Sequence, residues 1–159
     1  MEKTSNIYGL MILDNIGGMN SKMSMINQYL YSMINIENDY PVLAAVFDEI
    51  LKTETKHLKL LMQLALKLDS DPRLWSCLND QCSYWSPSYI NYPTQIKIIF
   101  NTLIKQNILA TRKYQQQIKQ VTNKEVQELL MQIISDEAKH LNILEKWETK
   151  LVRKSDTLI

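Results

Sequence analysis

Four long stretches of this chain repeat apolar residues with a period near 3.6, the signature of helices that bury one face. The first predicted helix runs from about Asn6 to Ile36. The second runs from about Tyr40 to Leu68, opened by Asn38-Asp39 with Pro41 in its first turn and closed by Asp69-Ser70-Asp71-Pro72. The third runs from about Thr94 to Val121. The fourth runs from about Asn123 to Lys154, opened by the capping box Thr122-Asn123-Lys124-Glu125.

The connections arrange these helices. The first and second are joined by a short link, as are the third and fourth, so each pair is predicted to be an antiparallel hairpin. Between the second and third lie about 25 residues rich in Ser, Asn, Asp, Tyr and Pro. A helix of about 28 residues is roughly 42 Å long, and an extended segment of about 25 residues reaches about 80 Å. The connection can therefore cross the whole bundle. The expected architecture is an all-α four-helix bundle, two antiparallel hairpins joined by one long crossover, forming a single domain over residues 1–159.

The inner stripes carry the chemistry. In the second helix the stripe reads Phe47, Ile50, Glu54, His57, Leu61, Leu64; in the fourth it reads Leu130, Ile133, Glu137, His140, Leu144, Trp147. Steps of seven return to nearly the same face. Residues i and i+3 share a face one turn apart, so Glu54/His57 and Glu137/His140 each aim a carboxylate and an imidazole at one spot. These are the only two histidines of the chain. Charged groups inside an apolar stripe are costly unless paired or metal-bound, and two imidazoles with two carboxylates suit Fe, Mn or Zn. The second helix has a further apolar stripe, Leu51, Leu58, Met62 and Ala65, of the kind that covers a face between two copies. A homodimer or higher homo-oligomer is therefore expected.

Composition narrows the field. Hydrophobic residues make up 45% and charged residues 22%, with only 3 Gly and 4 Pro, which leaves little room for a turn-rich β architecture. With 18 basic and 17 acidic residues the net charge is +1, which argues against nucleic acid or an anionic membrane as partner. No apolar run approaches the roughly 20 residues of a membrane span. Met1-Glu2-Lys3-Thr4-Ser5 does not open like a signal peptide. Cys77 and Cys82, without a nearby histidine, read as two reduced loop thiols in a cytoplasmic protein. The methionines Met19, Met23, Met25 and Met33 read as soft core packing.

These features together resemble the ferritin-like superfamily, and among its members the small stand-alone rubrerythrin-like and bacterioferritin-like proteins. The resemblance spans roughly Tyr8 to Leu151 and rests on the two Glu-x-x-His motifs. Ser21-x-x-Ser-x-Ile-x-Gln-Tyr29 and Trp85-Ser-x-Ser-x-x-Asn-Tyr92 add to it. It implies a di-metal site completed by a glutamate from the first and one from the third helix, each about seven residues before a Tyr or its equivalent. It also implies metal-dependent redox activity of the peroxidase, catalase or ferroxidase kind, on a small oxidant. Counting 32 residues back from Glu54 reaches Lys22, seven before Tyr29; counting 30 back from Glu137 reaches Asn107, seven before Tyr114. A count of 33 reaches Ser21 and Ile104, which are not acids either. Both implied carboxylates are thus replaced, with Tyr29 and Tyr114 expected as hydrogen-bond donors behind the site.

Charge sets the consequence. Four carboxylates balance two divalent ions, whereas Glu54, Glu137 and Lys22 sum to −1. Two divalent ions would leave +3 in an apolar bundle, one leaves +1, and none leaves −1, so one divalent ion or none is expected. Lys22 is expected to bridge Glu54 or Glu137 where a metal would otherwise lie. Three function classes stay open. One is a metal-dependent oxidoreductase with an altered site. Another is a non-catalytic ferritin-like structural or assembly unit. The last is an oxygenase that uses Lys22 or a tyrosine directly. No catalytic residue can be named.

Overall fold

The computed structural model describes residues 2–153, with side chains described from Ile7 onward. In it the first predicted helix is two. Helix α1 (Glu2–Gly17) ends at the Gly17-Gly18 pair, and α2 (Lys22–Ile36) starts afresh behind Ser21. Two adjacent glycines weaken a helix by up to about 1 kcal/mol each. Ser21 supplies a new N-cap, its Oγ accepting the Ser24 amide at 3.2 Å. A Cβ at Gly17 would come within 2.4 Å of the Trp75 backbone nitrogen, so the crossover can lie against the end of α1 only because no side chain is there.

The other three helices lie close to their expected bounds. Helix α3 (Pro41–Lys67) has Pro41 at its first position and closes in a Schellman turn. There Asp69 takes a φ of 54°, and the Ser70 and Asp69 amides donate to Ala65 and Leu66 carbonyls at 2.9 and 3.1 Å. Helix α4 is Ile96–Gln120 and α5 is Lys124–Glu148. The cap of α5 is Asn123, whose Oδ1 accepts the Val126 amide at 3.1 Å; Thr122, expected in that role, instead meets the Tyr8 hydroxyl at 3.0 Å. A π-turn, Thr149–Arg153, finishes α5, and Lys154 lies outside the described residues.

The crossover holds structure that periodicity missed. Strands β1 (Trp75–Leu78) and β2 (Gln81–Tyr84) form an antiparallel hairpin. Asn79 and Asp80 turn it with φ of 56° and 60°, the type I′ geometry that matches strand twist. Cys77 and Cys82 are opposite one another and joined by a disulfide, with Cα atoms 4.0 Å apart. The expectation of two reduced thiols is therefore corrected: four residues separate them in sequence, but the tight turn folds them face to face. One turn of 3-10 helix (Pro87–Tyr89) follows before α4.

Two apolar clusters form the core. One joins Ile12, Leu13 and Ile16 of α1 to Leu61, Leu64, Ala110, Leu130 and Ile133; the other joins Tyr29 of α2 to Phe47, Ile50, Ile99, Phe100, Leu103 and Leu144. In α3, α4 and α5 alike, a buried polar group sits between the residues of the two clusters. The second stripe of α3 is used within the chain. Leu51, Leu58 and Met62 are partly buried against these clusters, and Ala65 lies wholly inside.

Candidate metal centre

The polar layer between the clusters brings together Lys22, Glu54, His57, Asn107, Glu137 and His140. Lys22, Glu54, His57, Asn107 and Glu137 are at most 1% exposed, and His140 is 6% exposed. Lys22 is the first residue of α2, and its ammonium reaches inward to both acids. Nζ lies 2.6 Å from Glu54 Oε2 and 2.9 Å from Glu137 Oε1. Met25, one turn on, adds its Sδ at 3.8 Å. Asn107 Nδ2 donates to Glu137 Oε2 at 2.7 Å and to the Glu137 carbonyl at 3.0 Å. His140 Nδ1 lies 3.0 Å from Glu54 Oε1 and 3.7 Å from Glu137 Oε1.

His57 is held differently. Its Nε2 meets Asp136 Oδ2 at 2.8 Å. Its Nδ1 faces the same carboxylates at 3.7 Å (Glu54 Oε2) and 3.9 Å (Glu137 Oε1), buried and without a hydrogen-bond partner. Sequence reasoning missed Asp136. The signal was its place one residue before Glu137: a step of about 100° turns it off the inner stripe and toward α3. A carboxylate on one imidazole nitrogen fixes which nitrogen is left to ligate, as at many metal-bound histidines.

Tyr29 and Tyr114 also face this layer, with both hydroxyls buried and unpartnered. Lys22 Nζ lies 5.3 Å from the Tyr114 ring centre, a cation–π distance. Their part as donors behind the site is thus not expressed as any protein hydrogen bond among the described residues.

The electrostatics follow from burial and pairing. Burial works against charge on Lys22, but Glu54 and Glu137 outweigh it and hold the ammonium well above the ordinary lysine value. Burial likewise opposes ionisation of Glu54; Lys22 and the hydrogen bonds around it win and hold its carboxyl well below the usual range. For Glu137, burial and the neighbouring Glu54 charge prevail over Lys22, and its carboxyl is pushed up. Burial disfavours the imidazolium of His140, yet its two carboxylate partners raise it to about 9. Burial pushes both tyrosines up.

Glu54, Glu137 and His140 each bring one ligand atom within 4.8 Å of the others, a spacing that can hold one divalent ion. The buried His57 Nδ1, without a hydrogen-bond partner, faces both of these carboxylates but stands outside that group of three. The residues do not fit two ions, because the ammonium of Lys22 and the carboxamide of Asn107, not further acids, meet Glu54 and Glu137.

A helical bundle with one long crossover and a Glu/His layer between two apolar clusters defines a ferritin-like protein. The rubrerythrin family profile matches residues 23–148, so the chain belongs to the rubrerythrin family. The manganese catalase KatB from Anabaena is similar in structure, with a TM-score of 0.79 and 19% identity over 91% of this chain and 72% of that one. A bacterioferritin from Rhodobacter capsulatus, described with a metal-free dinuclear site and haem iron, gives 0.77 and 16% over 92% and 87%. A bacterioferritin from Desulfovibrio desulfuricans, described with a diiron site, gives 0.77 and 17% over 96% and 85%. Among curated proteins none matches the chain. No helix among the described residues is long and apolar enough to cross a membrane.

Proposed function

We propose that this protein is a rubrerythrin-family metal binder whose centre takes a single divalent ion, in competition with the ammonium of Lys22. One observation carries the reading: Lys22 Nζ sits between Glu54 and Glu137, 2.6 and 2.9 Å from their oxygens, in a fully buried layer. Glu54, Glu137, His140 and His57 would hold the ion. A redox-active ion such as Mn or Fe would supply electron transfer to a small oxidant, the chemistry of an oxidoreductase. Asp136 orients His57 and keeps its Nδ1 turned inward. Asn107 fixes Glu137 Oε2 and leaves Oε1 to Lys22 or an ion. For an ion to bind, Lys22 must swing aside or lose its proton, and His140 must lose its proton, because ligands bind metals deprotonated.

A second reading, a metal-free structural unit, is favoured by the charge closure. Lys22 and His140, both raised by the carboxylates they meet, oppose Glu54 and Glu137 without any ion. The oxygenase reading lacks such support: an ammonium held charged is not a nucleophile, and both tyrosines are held protonated.

Titration of metal-stripped protein with Mn(II), Fe(II) and Zn(II), followed by elemental analysis, separates the readings. One ion per chain, with affinity rising toward alkaline pH, is the expected result. No binding at any pH would leave the structural unit. Two ions at this centre would overturn the charge argument.

A further inference from the structure

The disulfide hairpin touches the break in the first helix from both sides. On the α1 side, Ser76 Oγ donates to Asp14 Oδ1 at 2.8 Å, and the β1 backbone lies against Gly17. Asp14 Oδ2 accepts from Lys113, which also bonds the Asn20 carbonyl inside the break. On the α2 side, Trp85, the residue after β2, donates its indole N–H to Ser24 Oγ at 3.0 Å. Ser24 Oγ in turn donates to the Met19 carbonyl at 2.7 Å, and the Ser24 amide bonds the Ser21 cap. One strand thus grips the end of α1 and the other leads into a grip on the first turn of α2, where Lys22 begins. The strands are tied together by a four-residue ladder, the Trp85 amide on the Leu74 carbonyl at 2.7 Å, the Arg73 guanidinium on the Tyr84 hydroxyl at 3.1 Å, a Trp75–Tyr84 stack with centroids 5.9 Å apart, and the Cys77–Cys82 bond. Two-stranded hairpins are marginal by themselves, and β2 is exposed along its whole length.

We infer that the Cys77–Cys82 disulfide is a thiol-exchangeable brace across the α1–α2 break, which a dithiol reductant opens to loosen the first turn of α2. Cys77 is buried and Cys82 is exposed, so attack falls on Cys82. A thiolate of the dithiol bonds to Cys82 Sγ, and the Cys77–Cys82 bond breaks, releasing Cys77 as a thiolate that takes a proton from water. The second thiolate of the dithiol then attacks the reductant sulfur in the mixed disulfide. Cys82 leaves as a thiolate and is protonated. The dithiol is oxidised by two electrons to its disulfide, and the protein pair is reduced by two. Loosening the first turn of α2 frees Lys22 to move from the two carboxylates; that consequence for metal binding rests on the reading above, whereas the brace itself does not.

The test is done on the full chain in chelator, so the fate of the metal reading does not touch it. Amide hydrogen exchange is compared between oxidised protein and protein held in excess dithiothreitol. The amides of Ser24 and Met25, which close the first turn of α2, are expected to exchange on the order of tenfold faster after reduction, while those of α4 and α5 keep their rates. Oxidised Trp85→Phe, which keeps the ring and loses the N–H, is expected to show the fast rates already and to gain little on reduction. Equal rates at Ser24 and Met25 in both states would overturn the brace. So would a bond that excess dithiothreitol leaves intact in the native protein, faster exchange throughout the bundle, or a Trp85→Phe protein that exchanges like the parent.

Discussion

Lys22 Nζ lies 2.6 Å from Glu54 Oε2, with both side chains wholly buried. Neither charge is tolerable there alone. Breaking a buried pair by removing one partner costs about 3–5 kcal/mol, because the other charge is left without compensation. Lys22→Met is therefore expected to destabilise the metal-free protein by on the order of 3 kcal/mol, read by denaturant or thermal unfolding in chelator. One equivalent of Mn(II) is expected to recover most of the loss, since the ion replaces the missing cation. A metal-free variant as stable as the parent would show that Lys22 does not compensate the carboxylates.

The same pairing sets a pH window. His140 is raised from 6.5 to about 9 in the folded protein, so its contribution is complete below 6.5 and disappears as the pH rises through 9. Glu54, held well below 4.5, contributes above that value and loses its contribution as the pH falls through its lowered one. Metal-free protein is expected to lose on the order of 3 kcal/mol between pH 6.5 and 9 from His140 alone, at about 1.4 kcal/mol per pH unit. His140→Gln should flatten this alkaline slope. An unchanged slope in the variant would assign it to another group.

Much of this centre was legible in the sequence, for one physical reason. Steps of seven along a straight helix fix facing, so Glu54, His57, Glu137 and His140 could be placed from spacing alone, and fixed counts reached Lys22 and Asn107. The break at Gly17-Gly18 was hidden because the apolar period continues across it. Only the paired glycines and the cap at Ser21 mark it. The crossover hairpin was hidden because its strands are four residues long, too short for a period, and its turn at Asn79-Asp80 carries no glycine. Asp136 was missed because facing was sought only along the stripe.

Asp136 gives a third prediction. It is 23% exposed and touches His57 Nε2 at 2.8 Å, so it can be changed without opening the core. Loss of a carboxylate that orients a ligating imidazole typically costs 10–100-fold in metal affinity. Asp136→Ala is expected to weaken Mn(II) or Zn(II) binding by about that factor. Asp136→Asn, which keeps an acceptor for Nε2, should recover part of it. Calorimetric titration of the three proteins checks this; equal affinities would remove His57 from the ligand set.

The last prediction rebuilds the implied site. Lys22→Glu with Asn107→Glu takes the sum of Lys22, Glu54 and Glu137 from −1 to −4, the charge that two divalent ions balance. Both positions already point inward. The Lys22 side chain ends between Glu54 and Glu137, and the Asn107 carboxamide ends 2.7 Å from Glu137 Oε2. Without metal the double variant is expected to be less stable than the parent, since four buried carboxylates have only the histidines to face. With metal it is expected to bind two Mn(II) or Fe(II) per chain. Either single variant should bind one, because the second ion would still lack a terminal carboxylate. Elemental analysis after gel filtration reads the stoichiometry, and unfolding curves with and without metal read the linkage. A folded double variant that holds no more metal than the parent would show that the missing carboxylates are not what limits the centre to a single ion.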